Sequence, residues 1–506
     1  ALARFAELSC ARTDPDPAQY QRFIEESPSN WREIYREVLL LAAAHPRRRS
    51  VECVIRVRLA GLLALANGPA DGRSDVQLEA LTQTLAQDAG LDLLESLDPA
   101  LAPSERLHRA IGLALERHRS RPEPERACEP VLAIKQLARV LIAASGYVVN
   151  SFDFDAWRRL PAFRPLAPLS PELDAINTFL EAVNERFAAR YGASRRRFLD
   201  MLGKLPPPHQ VSVSQTYLNG LRVGAATSLA LYAALLGDKD YERWADSVAT
   251  VHVYTTNTLL VRALGALWQG DVRECDRLES ERRIRRLEDR RPQNYEGLGA
   301  IWRLMGYAAC EDLSRMRLVL DEIEGFAALS PTWEPSASWA RAEYERIRGD
   351  RTSALAHADE ALQHIEPGRH MLWASVATTR LLTLTAMGRQ AEALRDGERY
   401  LEAAAQAGLD QMQASLHLAT GLAAAKHGDA AAAPRHIGAA LSILTEHGAG
   451  GLRLGMAFEA AASVAIYLRD REAFKRYELR CRELYCVHDN RPLVGKYQRL
   501  LRAATR

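Results

Sequence analysis

Cys481, Cys486 and His488 stand close together near the end of the chain and are side-chain types that hold zinc. A structural zinc needs four ligands, usually as two close pairs, and the gap between these cysteines is an allowed one. No second pair exists, however, and both cysteines fall on a helical run where a free thiol acts as a small apolar group. No metal is therefore expected. Gly448-Ala449-Gly450-Gly451 is rich enough in glycine to cradle a phosphate. No strand precedes it, so a flexible connector between helices is the simpler reading. The acidic Phe152-Asp153-Phe154-Asp155 lacks the glycine that follows a kinase metal loop and reads as a cap on a helix near Ala156. Phosphate-binding loops of the form G-x-x-x-x-G-K-[ST] are missing, as are H-E-x-x-H, G-x-S-x-G, H-R-D and V-A-I-K. No catalytic, cofactor-binding or metal-binding residue is assigned, and the chain is not expected to be an enzyme.

Charge points the same way. The 66 basic and 64 acidic residues leave a formal net charge of +2, which offers no footprint for nucleic acid or a membrane surface. The run ERRIRRLEDRR (281–291) interleaves acids with its arginines and reads as a solvated helix, as does the face carrying Arg195, Arg196 and Arg197. Seven scattered cysteines do not form a disulfide framework, so a reducing, cytoplasmic setting is expected. No apolar stretch reaches the ~18 residues of a transmembrane helix. The start, ALARF, already reads as helix interior, so the sequence is expected to be a piece of a longer protein whose catalytic module, if any, lies upstream.

The elements that would position a binding surface are helices throughout. Ala and Leu dominate, aromatics are 7 %, and strand-like alternation is nearly absent, so the fold class is all-α. Residues 1–150 read as an irregular helical lead-in, and residues 151–210 as a connector interrupted by LPAFRPLAPLSPEL and LPPPHQ. From residue 211 to 506 a repeat takes over. Turn signals fall at Gly237-Asp238, Gly270-Asp271, Cys310-Glu311, Gly349-Asp350, Gly388-Arg389, Gly428-Asp429 and Arg469-Asp470, settling near 40 residues apart. About seven residues ahead of a turn stands a small residue (Ala230, Ala263, Ala342, Gly421, Ala461), with Leu381 the exception. About five residues after it come Ala354, Ala393, Ala433 and Ala473. Helix pairs recurring in this way cannot bury their apolar faces alone, so they stack.

These positions resemble the tetratricopeptide repeat, closely over 335–480 and more loosely over 211–334. The resemblance implies a right-handed superhelical solenoid of helix pairs. A broader likeness rests on PLAPLSPEL (165–173), the stretch 186–202 and the end 491–503. Their order resembles the C-terminal region of large bacterial signalling proteins, in which a serine/threonine kinase or a signal-transducing NTPase precedes helical repeats. None of these stretches is a catalytic motif.

In such solenoids the first helix of each unit lines an inner groove, where a partner segment lies. Counting from the turns, inward positions are Asn257, Ser336, Trp339, Glu343, Arg346, Ser375, Thr378, Thr385 and Ser415. Polar groups with one large aromatic suit a protein or peptide partner held by its backbone and one anchoring side chain. The competing arrangement is the sensor arm of a transcription-regulatory NTPase. It would instead present a closed apolar pocket with a few convergent polar groups for a small-molecule effector.

Overall fold

The computed structural model describes residues 171–205, 215–249, 255–288, 296–329 and 331–505. The helical lead-in and the Phe152–Asp155 cap lie outside them. The chain divides into two compact units, one of residues 1–181, 200–219 and 288–294, the other of 182–199, 220–287 and 295–506. In the described part of the first unit, Lys204 pairs with Asp174 at 3.0 Å and Asp200 at 2.9 Å. The second unit holds the repeats.

All seventeen regular elements of more than one turn among the described residues are α-helices. They are α1 (Pro171–Phe187), α2 (Tyr191–Lys204), α3 (Gln215–Leu236), α4 (Tyr241–Ala249), α5 (Thr255–Gln269), α6 (Val272–Glu288), α7 (Glu296–Cys310), α8 (Leu313–Leu329) and α9 (Glu334–Arg348). After these come α10 (Arg351–His364), α11 (Trp373–Ala386), α12 (Gln390–Gln406), α13 (Gln413–His427), α14 (Ala432–Glu446), α15 (Gly451–Tyr467), α16 (Arg471–Tyr485) and α17 (Arg491–Ala504). From α7 to α16 each odd-numbered helix packs on the next as a pair. Successive first helices, α5, α7, α9, α11, α13 and α15, also pack on one another. The architecture is an all-α right-handed solenoid of tetratricopeptide-like pairs.

A two-residue device makes five of the seven hairpins read from the sequence, the exceptions being Gly237-Asp238 and Gly388-Arg389. Gly349 ends α9 with φ +100°, its N–H bonded to Glu345 O, and Asp350 caps α10 by accepting from Ser353 N at 3.1 Å. The left-handed residue ends one helix and the carboxylate satisfies a free amide of the next, so the chain reverses at once. Positive φ recurs at every turn position read from the sequence: Gly237, Gly270, Glu311, Gly388, Gly428 and Arg469. Asp271, Asp312, Asp429 and Asp470 repeat the cap on Glu274, Arg315, Ala432 and Ala473 amides. Backbone amides hold the carboxyls of Asp350 and Asp429 below the usual range.

The small residues lie where helices touch. Ala342, Ala354, Ala393 and Ala433 are fully buried, and a Cβ on Gly421 would sit 3.2 Å from His436 and Ile437 atoms. The pattern also extends further back than glycine signals reach. Ala189, with φ +62°, turns between α1 and α2, and fully buried Ala182 and Ser194 occupy the same offsets from it. In the described part of the run 281–291, residues 281–288, one arginine is not solvated. Arg282 is buried and pairs with Glu279 at 3.0 Å, while Arg303 reaches Glu279 at 3.5 Å and Glu322 at 2.7 Å.

Within the second unit the array closes on itself. Helix α15 packs on α5 and α7, and α17 packs on α7. Gly450 N donates to Leu236 O at 2.9 Å, and Arg453 Nε donates to Leu235 O at 3.0 Å. Asn490 caps α17 and donates to Gly270 O at 3.1 Å, and Lys496 donates to Ala309 O at 3.1 Å. Arg499 pairs with Glu311, and Arg273 with Asp489 at 2.5 Å. The glycines at 448–451 therefore do more than connect. A Cβ on Gly451 would lie 2.2 Å from Trp268 O, so glycine is what lets these backbones meet.

Candidate functional site: an inner cavity

Closure turns the inner face of the first helices into the wall of a cavity of about 270 Å³. Its apolar part includes Trp268 of α5, Met305 of α7, Trp339 of α9, Leu382 of α11, Leu418 of α13 and Met456 of α15. A smaller cavity of about 80 Å³ adjoins it, walled by Tyr191, Tyr232, Leu235, Trp302 and Leu444. Met305, Met412, Ser415, Leu418, Arg453 and Met456 line both.

Polar groups converge on the larger space from five helices, α9, α11, α13, α15 and α17. Trp339 Nε1 donates to Thr379 Oγ1 at 3.3 Å, and that hydroxyl lies 2.9 Å from Glu343 Oε2. Arg346 grips the same carboxylate through Nε at 3.0 Å and a terminal nitrogen at 2.6 Å. Burial pushes the Glu343 carboxyl up, but Arg346 and the Thr379 hydroxyl outweigh it and hold it below its usual range. From α17, Lys496 pairs with Glu459 of α15 at 2.8 Å, and Tyr485 donates to Glu459 at 2.8 Å. Burial would lower the Lys496 ammonium, yet Glu459 raises it. Thr378 and Ser415 hydroxyls lie 3.2 Å apart across α11 and α13.

Of the residues read from the sequence as inward, Trp339, Glu343, Arg346, Ser375, Thr378 and Ser415 line this one cavity. Asn257, Ser336 and Thr385 do not. Ser336 is fully buried, Thr385 returns its hydroxyl to Leu381 O at 2.8 Å, and Asn257 is buried at the start of α5. Among the described residues no group of three or more His, Cys, Asp or Glu could hold a metal. Cys481 is buried, Cys486 is exposed, and His488 faces Asp271 at 3.5 Å. Among the described residues no helix is long and apolar enough to cross a membrane.

No protein-family model matches this chain, and no curated protein matches it. Solved structures do. One is described as a Rap protein complexed with Competence and Sporulation Factor, with 11 % identity and a TM-score of 0.44 over 66 % of this chain and 98 % of that one. Another is the APC/C hetero-tetramer Cut9-Hcn1, with 11 % identity and a TM-score of 0.30 over 88 % of this chain and 95 % of that one. The repeat fold of the present chain rests on its own helix pairs and turns.

Sequence reasoning missed Arg453, Glu459 and Lys496. The signal was there in α15, GLRLGMAFEAAASVAIY, whose only two charges are Arg453 and Glu459. An isolated charge on an otherwise apolar helix faces either solvent or a polar cavity. An open groove counted from the central repeats ends at Ser415, and only closure brings α15 and α17 to the same wall.

Proposed function

We propose that the repeat unit is a recognition and regulatory module of a larger bacterial signalling protein, linked to a kinase or NTPase upstream, and that it takes its ligand on the inner face. One observation carries this reading: first helices from successive repeats send side chains to a single cavity. The ligand is a protein or peptide segment, and no bond-making chemistry is assigned to these residues. A photo-crosslinking amino acid at Ser375, on the wall, and another at exposed Arg395, on α12, test this in the native host. Recovery of one defined species from position 375 and not from 395 is expected. Equal recovery from both, or none from 375, would sink the proposal.

The second reading, a small-molecule effector sensed by an NTPase-linked arm, is favoured by closure itself. A space of about 270 Å³ lies near the lower end of the ~300–1,000 Å³ typical of small-ligand sites. Mass spectrometry of the denatured adduct from position 375 separates the two readings, since a polypeptide adduct supports the first and a low-mass adduct the second.

A further inference from the structure

Each carboxylate on the wall of the larger cavity has its own cation: Glu343 has Arg346, Glu459 has Lys496, and Glu311 has Arg499. Arg453 is the charge left over. Its Nε donates to Leu235 O at 3.0 Å, and its guanidinium lies over the Trp268 ring, 4.4 Å from the centroid. Those contacts use the inner nitrogen and one face of the plane. Among the described residues, the two terminal nitrogens have no hydrogen-bond acceptor, and the side chain lines both cavities. Burial lowers the Arg453 pKa to about 10, which leaves it charged at neutral pH. Tyr191, the group that acts on it from the smaller cavity, has its phenol raised to about 12 by burial and stays neutral.

A stacked, half-fixed guanidinium with its outer edge free is pre-organised for a planar, bidentate acceptor. Its single unbalanced charge matches a monoanion, whereas a phosphate group, at roughly −1.5 to −2, would remain undercompensated. Beside it the smaller cavity of about 80 Å³ is walled mostly by apolar groups, about half the ~150 Å³ that encloses a benzene ring. That space suits a short branched hydrocarbon chain. We infer that Arg453 is the anchor for a carboxylate carried on a small apolar group, which fills the adjoining pocket while the rest of the ligand lies in the larger cavity. The inference rests on the reading of this cavity as the ligand site. The carboxylate belongs either to the C-terminus of a peptide or to a free branched-chain acid.

The test is calorimetric titration of the whole chain with three probes at up to millimolar concentration: N-acetyl-valyl-valine, its C-terminal amide, and 3-methylbutanoate. The dipeptide acid is expected to bind at least about tenfold more tightly than its amide, a difference of ~1.4 kcal/mol. Arg453→Gln should abolish that preference, and Arg453→Lys, which keeps the charge but loses the fork, should retain part of it. Binding of 3-methylbutanoate as tight as that of the dipeptide acid identifies the free acid as the source; much weaker binding identifies the peptide terminus. Equal binding of acid and amide, a preference that survives in Arg453→Gln, or binding of none of the probes overturns the anchor. Ser463→Phe, which fills the wall of the larger cavity, keeps the two readings apart. If acid and amide bind equally and both are lost in this variant, the cavity is still the ligand site and only the role of Arg453 has failed.

Discussion

Two kinds of junction hold the second unit together, and they are built from different materials. Between neighbouring repeats the contact is side chain on side chain, as where Ala424, Ala433, Ile437, Ala461 and Val464 pack with Leu422 and Leu441. At the closing seam much of the contact is hydrogen bonding to backbone carbonyls. Carbonyls of Leu235, Leu236, Gly270 and Ala309 each accept a donor from far along the chain. Apolar packing is tolerant of partner and nearly indifferent to direction. Hydrogen bonds to buried carbonyls fix both distance and angle. The stack thus supplies the bulk of the stability, and the seam selects one curvature.

The sharpest way to break this comparison is to make one substitution in both junctions. Gly237 and Gly349 both have positive φ at the same position of the repeat. A Cβ on Gly349 meets nothing within 4 Å, whereas one on Gly237 would lie 2.4 Å from Gly450 O. Gly349→Ala should destabilise by ~1 kcal/mol from backbone strain alone, and Gly237→Ala by ~3 kcal/mol, strain plus overpacking. Urea unfolding of both variants reads the difference. Equal losses would mean that the seam is not formed in solution.

Acid should attack the stack next. His370, in the loop between α10 and α11, is buried and its pKa is pushed down to about 3. Burial, together with His436, lowers His417 to about 4. The unfolded chain, with histidines near ~6.5, binds protons that the folded one refuses. Stability is therefore complete above pH ~6.5 and falls as pH drops toward the folded values, by up to ~1.4 kcal/mol per pH unit for each such group. His370→Gln should flatten the slope of unfolding free energy against pH between ~4 and ~6.5. An unchanged slope would show that His370 is accessible to protons in the native state.

The smallest effect sharpens the account of the turns. Arg469 holds φ +58° in the same position as the turn glycines and is exposed. Arg469→Gly should raise stability by ~0.5–1 kcal/mol, relieving left-handed strain at some cost in unfolded-chain entropy. A fall in the thermal midpoint would place that turn's conformation elsewhere.

How much of this was legible beforehand follows from the range over which each signal acts. Turn chemistry is local: a left-handed residue followed, in most cases, by a capping Asp is complete within two positions, so the seven turns from Gly237 to Arg469 that recur once per repeat can be read off the sequence. Ala189 escaped because the pair Ala189-Arg190 carries neither the glycine nor the following Asp that marks the other turns, although Ala182 and Ser194 kept the offsets. The central cavity residues were reachable by counting from those turns. Arg453 and Lys496 were not, because their place on the wall depends on curvature summed over many repeats, which no local pattern encodes. Gly448 to Gly451 shows the same limit: the composition announces freedom, while the fold uses it for close approach to Gly237 and Trp268.

The hydrogen bond from Gly450 to Leu236 has a consequence for how such a protein can change over generations. An open solenoid can gain or lose a unit by in-frame duplication or deletion, since each unit touches only its neighbours. Here a deletion of about 40 residues would leave Gly450 without the carbonyl it meets and the wall without one of its helices. The number of repeats is locked by closure, and diversification is channelled into single substitutions on the inner wall.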